Sequence, residues 1–122
     1  MESPFKGKTG LRRIWNAFFY SMDGFAAAYR NEDAFRQEAW LAALLIPLAL
    51  FLDVGHIGKA LMIGAVLLVL VVELVNSAVE AAIDRISLER HQLSKRAKDI
   101  GSAAVLVSLA NLIVIWTLVL TA

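Results

Sequence analysis

Residues 100–122 hold no charged side chain over 23 consecutive positions. At ~1.5 Å per residue that is enough for one helix to cross the ~30 Å hydrocarbon core of a bilayer. Two more apolar stretches precede it. Residues 60–83 would make a helix of about 36 Å, and residues 39–52 lack charge over 14 positions. The latter reach spanning length when extended back through Arg36, Gln37 and Glu38, whose polar groups can sit at the interface. Pro47 lies inside this stretch, which a membrane helix tolerates where neighbours satisfy the freed carbonyl. In hydrocarbon every backbone N–H and C=O must be bonded within the protein, so such segments become helices. The chain is expected to form a single all-α membrane domain over 1–122, with spans at roughly 36–53, 60–83 and 100–121.

Composition agrees: 59% of the residues are hydrophobic and 19% charged, against roughly 25% charged in a soluble domain. Disordered and fibrous classes are excluded. There is no cysteine, hence no disulfide, thiolate nucleophile or Cys-based zinc site. His56 and His91 are far apart and are read as surface histidines, although His91 could lie near a nucleotide. The polar, basic N-terminus is not followed by a short apolar core and cleavage site, so no cleaved signal is expected.

Leu11, Ile14, Trp15, Phe18, Met22, Phe25, Ala26 and Tyr29 recur at three- and four-residue steps, with Arg12, Arg13, Asn16, Asp23 and Arg30 between them. This predicts an amphipathic helix over about 10–31, suited to the membrane interface. Six basic residues precede the first span, five lie in the 84–99 loop, one lies in the 53–59 turn and none follows the last span. Loops rich in Lys and Arg stay on the cytoplasmic side, so the N-terminus and the 84–99 loop are expected inside and the C-terminus outside.

The second span carries the chemistry. Glu73, Asn76, Ser77, Glu80 and Asp84 stand at offsets 0, 3, 4, 7 and 11, which fall on one helix face. An ionised group deep in a membrane costs about 2.5–3.5 kcal/mol even on mild insertion scales. Helix–helix hydrogen bonding explains Ser77 alone; five aligned polar residues point to function. Glu73 sits about 10 Å deeper than Glu80, so the two carboxylates meet different dielectric environments and can do different work.

Further charge converges on the same side: Asn31 and Glu32 before the first span, Lys98 and Asp99 before the third. Magnesium favours a few carboxylates together with phosphate oxygens and water, which makes Glu32 and Glu80 its candidates. Lys98 would serve phosphate as a point charge. Soluble phosphate motifs are missing: Gly7-Lys8-Thr9 lacks the earlier Walker A glycine, since Glu2 stands there, and no kinase HRD or DFG element occurs.

The run Glu73-Leu74-Val75-Asn76-Ser77-Ala78-Val79-Glu80-Ala81-Ala82-Ile83-Asp84 resembles the signature of the prokaryotic diacylglycerol kinases. The blocks Asn31-Glu32-Asp33-Ala34-Phe35-Arg36-Gln37-Glu38 and Arg96-Ala97-Lys98-Asp99-Ile100-Gly101-Ser102 are similar to two further stretches of that family. The resemblance implies a homotrimeric, multi-pass enzyme of the bacterial inner membrane that moves the γ-phosphoryl of MgATP to diacylglycerol, giving phosphatidic acid, with no nucleic-acid partner. It implies a catalytic Glu73 acting as general base, an active-site Asn76, and Mg²⁺ on Glu32 and Glu80. It also implies nucleotide contacts from Arg13, Tyr20, Glu89, Arg90, His91, Lys98 and Asp99. Ala34, Phe35, Arg36, Gln37, Glu38 and Ser102, with Glu73, would face the lipid substrate.

Three other readings compete. An undecaprenol kinase would use the same motif on a polyprenol. A small proton-coupled exporter would explain Glu73, but not Glu80, Asp84, Lys98 and Asp99 gathered at one mouth. A non-enzymatic holin or assembly subunit would use the stripe to join helices.

Overall fold

The structure is a computed structural model, and it describes residues 9–86 and 92–122. Those residues form four helices: α1 (Leu11–Asn31), α2 (Asp33–Phe51), α3 (Gly55–Ile86) and α4 (Gln92–Leu120). The latter three are long and apolar enough to cross a membrane. The expected all-helical membrane architecture, one amphipathic helix followed by three apolar ones, is the architecture observed.

α3 is the central helix and packs against both α2 and α4, while α1 lies against α2. Ala42 of α2, Ala65, Val66 and Val69 of α3, and Leu112 of α4 form the buried cluster, with Leu45, Leu109 and Trp116 closing around it. Small residues at the contact let the backbones approach, which is how membrane helices gain van der Waals packing without a hydrophobic driving force between them. Trp116 Nε1 donates to the Met62 carbonyl oxygen at 3.1 Å, tying α4 to α3 beside that cluster. The antiparallel register continues from there, with Asn76 against Gly101 and Asp84 against Lys98 at the other end.

The joints on either side of α2 are short. α1 gives way to α2 through one extended residue, Glu32 (φ −122°, ψ 110°). Neither glycine nor proline is present between Tyr29 and Arg36 to signal a break, yet the break is well supported. Glu32 N–H donates to the Ala28 carbonyl, and Arg36 donates from Nε to the Tyr29 carbonyl at 3.0 Å and from Nη2 to the Arg30 carbonyl at 3.2 Å. These are the carbonyls a helix end leaves without partners.

The turn expected over 53–59 is shorter than its composition suggested. α3 starts at Gly55, whose φ of 74° suits a residue without a Cβ, so His56 and Lys59 belong to the helix. Lys59 Nζ donates to the Leu50 carbonyl at 2.8 Å and so caps the end of α2. At ~1.5 Å per residue the 32-residue α3 is about 48 Å long, well beyond the ~30 Å of a hydrocarbon core. It is therefore longer than a single crossing needs, and its charged residues Asp84 and Arg85 stand in its last turn.

Candidate active site

Glu73, Asn76, Ser77, Glu80 and Asp84 all lie on α3, one uninterrupted helix, so the face predicted from their spacing is real. Glu73 is buried, at 4% exposure, and is one of two buried polar residues among those described. The other, Ser108, satisfies its hydroxyl on the Val105 carbonyl. The charges that act most strongly on Glu73 are the Glu38 carboxylate of α2, then Glu80 and Glu32. Glu38 and Glu32, both read from sequence as site residues, thus converge on the α3 stripe. One turn along, Asn76 Nδ2 lies 3.5 Å from Glu80 Oε1, a long hydrogen bond, and Asn76 Oδ1 is buried without a partner.

α1 and α3 enclose a groove of about 430 Å³ between them. Ser21, Gly24, Ala28 and Glu32 line one wall; Ser77, Ala78 and Ala81 line the other. The small residues of α1 make this wall possible, and Phe25 borders it too. Sequence reasoning passed over Gly24 and Ala28. The available signal was the spacing of Ser21, Gly24 and Ala28, three and four residues apart, which puts small side chains on one helix face.

Glu32 has its carboxyl pushed above the usual carboxylate range, first by partial burial and then by repulsion from Glu80, Asp84 and Asp33. Carboxylates that repel one another in this way form a charge pattern that a divalent cation can relieve. Among the described residues no three acidic or imidazole side chains form a ready-made cage. Magnesium is usually held by one or two carboxylates together with substrate phosphates and waters. Glu32 and Glu80, whose charges act on one another, are the two carboxylates here that could hold such an ion.

At the charged end, Lys98 Nζ and Asp84 Oδ1 form a 2.9 Å ion pair joining α4 to α3. Asp99 instead pairs with Lys95 at 2.7 Å along α4. Asp99 borders a separate hollow of about 460 Å³ with Gln92, Lys95 and Arg96. The adjacent residues Lys98 and Asp99 thus engage different surroundings.

The block 34–38 divides. Phe35 is buried and Glu38 is half-buried, while Ala34 and Gln37 are exposed. Arg36 holds the end of α1, forms an ion pair with Asp33 at 3.0 Å and stacks over the Tyr29 ring at 5.5 Å. Tyr29 also accepts a hydrogen bond from Trp40 Nε1 at 2.9 Å. The sequence had shown neither contact, because both cross the α1–α2 joint. Arg13 and Tyr20 are exposed on α1, and Ser102 is exposed on α4 next to Gly101. Glu89, Arg90 and His91 lie outside the described residues.

Comparison with known proteins gives one consistent result. Residues 19–120 match the family described as prokaryotic diacylglycerol kinase. The chain is 58% identical over 118 residues to a diacylglycerol kinase of Pseudomonas aeruginosa, covering 97% of this chain and 96% of that protein. It is 51% identical over 108 residues to a diacylglycerol kinase of Haemophilus influenzae, covering 88% and 92%. It is 48% identical over 112 residues to a diacylglycerol kinase of Escherichia coli K12, covering 92% of each. With its amphipathic first helix, its three apolar helices and its polar α3 stripe, the chain belongs to the prokaryotic diacylglycerol kinase family.

Proposed function

We propose that this protein transfers the γ-phosphoryl of MgATP to the primary hydroxyl of diacylglycerol, giving phosphatidic acid. The observation that carries the reading is the division of carboxylates along α3: Glu73 is buried, whereas Glu80, seven residues on, acts electrostatically on Glu32 beside the α1–α3 groove. Counting ~20 residues from the first turn of α3 for a hydrocarbon core leaves Glu73 inside it and Glu80 beyond it. A lipid hydroxyl can therefore meet Glu73 while a nucleotide phosphate approaches Glu80.

The reaction needs little covalent work from the protein. Glu73 accepts the hydroxyl proton as the substrate oxygen forms its bond to the γ-phosphorus. The bond from that phosphorus to the bridging oxygen breaks and ADP leaves. Positioning and charge neutralisation supply most of the acceleration in such transfers. Glu32 and Glu80 would hold Mg²⁺, which when bound would neutralise charge on the phosphate oxygens. Asn76 orients the Glu80 carboxylate, and Lys98 offers a point charge to phosphate. Arg13, Tyr20 and Asp99 serve the nucleotide. The 34–38 block and Ser102 serve the lipid, Arg36 chiefly by fixing the α1–α2 joint.

The asymmetry of basic residues supports an orientation with the N-terminus and the 84–99 loop inside, and the family supports a bacterial inner membrane. A homotrimer would cover polar groups of the spanning part of α3 such as Asn76, which is only half-buried in the single chain and unfavourable against lipid. The test is to supply MgATP with diacylglycerol and undecaprenol in parallel to the protein in mixed micelles. Magnesium-dependent phosphatidic acid is the expected product. Phosphorylated polyprenol alone would overturn the substrate, and no product from folded protein would overturn the kinase.

A further inference from the structure

Gly101 lies where α4 passes the polar stripe of α3. A Cβ built on it would collide with Asn76 Oδ1 and come within 3.1 Å of Asn76 Cγ, and the three nearest atoms all belong to that one side chain. Gly101 is an ordinary helical residue of α4, not a left-handed one. Its backbone conformation is open to any residue, and glycine inside a helix is less favourable than alanine. What the position requires is space. The atom filling that space, Asn76 Oδ1, is buried and accepts no hydrogen bond, an arrangement that disfavours the amide staying there by bonding alone. The other end of the same amide, Nδ2, faces Glu80 Oε1 at 3.5 Å.

We infer that Gly101 is a positioning residue: its bare Cα seats the Asn76 amide so that Nδ2 is turned towards the Glu80 carboxylate. Its consequence for catalysis rests on the kinase reading above, in which Glu80 holds Mg²⁺; the contact itself does not. An added methyl group meets only the end of a movable side chain, so Gly101→Ala displaces the amide and leaves the helix pair intact. Glu80 then loses its orienting partner, and magnesium use suffers before lipid binding does.

The experiment compares Gly101→Ala in the natural protein and in an Asn76→Ala background. In the natural protein the substitution is expected to lower kcat about tenfold or more and to raise the Mg²⁺ concentration needed for half-maximal rate several-fold. The KM for diacylglycerol should stay within about twofold, and the melting temperature in detergent should stay within about 4 °C. Truncating Asn76 empties the space, so adding Gly101→Ala to Asn76→Ala should change the remaining rate and its Mg²⁺ dependence by less than about twofold. An equal loss in both backgrounds, or no loss in the natural protein, would overturn the inference. A second readout stands apart from activity: the side-chain amide NMR resonances of Asn76, assigned by their disappearance in Asn76→Ala, should shift in Gly101→Ala. Unshifted resonances would refute the contact. Shifted resonances in a protein that phosphorylates no lipid would uphold it and refute the kinase reading instead.

Discussion

Arg36 Nε lies 3.0 Å from the Tyr29 carbonyl oxygen, so a side chain in the first turn of α2 caps the last turn of α1. The same guanidinium reaches the Arg30 carbonyl and Asp33. Asp33 is largely exposed, so that ion pair adds little; the two carbonyl contacts carry the effect. Arg36→Ala is expected to destabilise the α1–α2 joint by about 1–2 kcal/mol. Hydrogen exchange at the amides of residues 29–32 should quicken. Arg36→Lys should recover less than half of the protection, because an ammonium cannot present the two-pronged guanidinium geometry.

Glu32 is expected to make stability depend on pH and, if it holds magnesium, on that cation. Its carboxyl is raised by partial burial, then by Glu80, Asp84 and Asp33, so the folded state disfavours its ionised form. A carboxyl raised in the fold imposes no penalty below its unfolded pKa. The penalty grows as pH rises through the window up to the folded pKa and is complete above it. Glu32→Gln should therefore raise the melting temperature at neutral pH without divalent cations. It should do little below the usual carboxylate range. Magnesium should stabilise the natural protein at neutral pH more than it stabilises the variant.

Lys98 and Asp84 separate stability from activity. Their ion pair joins two helix ends, but both side chains are about half exposed, and such pairs contribute about 0–1 kcal/mol. Lys98→Gln should leave the melting temperature nearly unchanged. If Lys98 serves nucleotide phosphate, the KM for MgATP should rise about tenfold, the loss of roughly 1.4 kcal/mol. Steady-state rates with MgATP varied at saturating lipid would read this directly.

Trp116 offers the opposite case. Its Nε1 donates to the Met62 carbonyl at 3.1 Å, beside the buried cluster and away from the stripe's charged end. Trp116→Phe keeps a ring but loses the bond, and should lower stability by about 0.5–2 kcal/mol. Phosphoryl transfer per folded protein should be unchanged.

These residues also mark what was legible in the sequence. The helices and the stripe were, because span length and helical period are local properties: Glu73 through Asp84 share a face wherever α3 packs. The end of α1 was visible to within a residue, but its cause was not, since Arg36 supplies from the next helix what a glycine would ordinarily provide. The groove was hidden because Gly24 and Ala28 gain meaning only when Ser77 and Ala81 stand opposite. Gly101 belongs to a recognisable block, yet only the passage of α4 over Asn76 reveals why a side chain there would intrude.

Glu73→Gln bears most directly on the central claim, that the buried carboxylate of α3 takes the hydroxyl proton. The substitution keeps size and hydrogen bonding but removes the base. Transfer of γ-label from MgATP to diacylglycerol should fall by about 10²–10⁴-fold, the usual range for a general base. Binding of MgATP, measured on the same preparation, should change by less than about twofold if Glu73 lies apart from the nucleotide. Label transfer near the natural rate would contradict the account. So would a loss of transfer matched by an equal loss of MgATP binding.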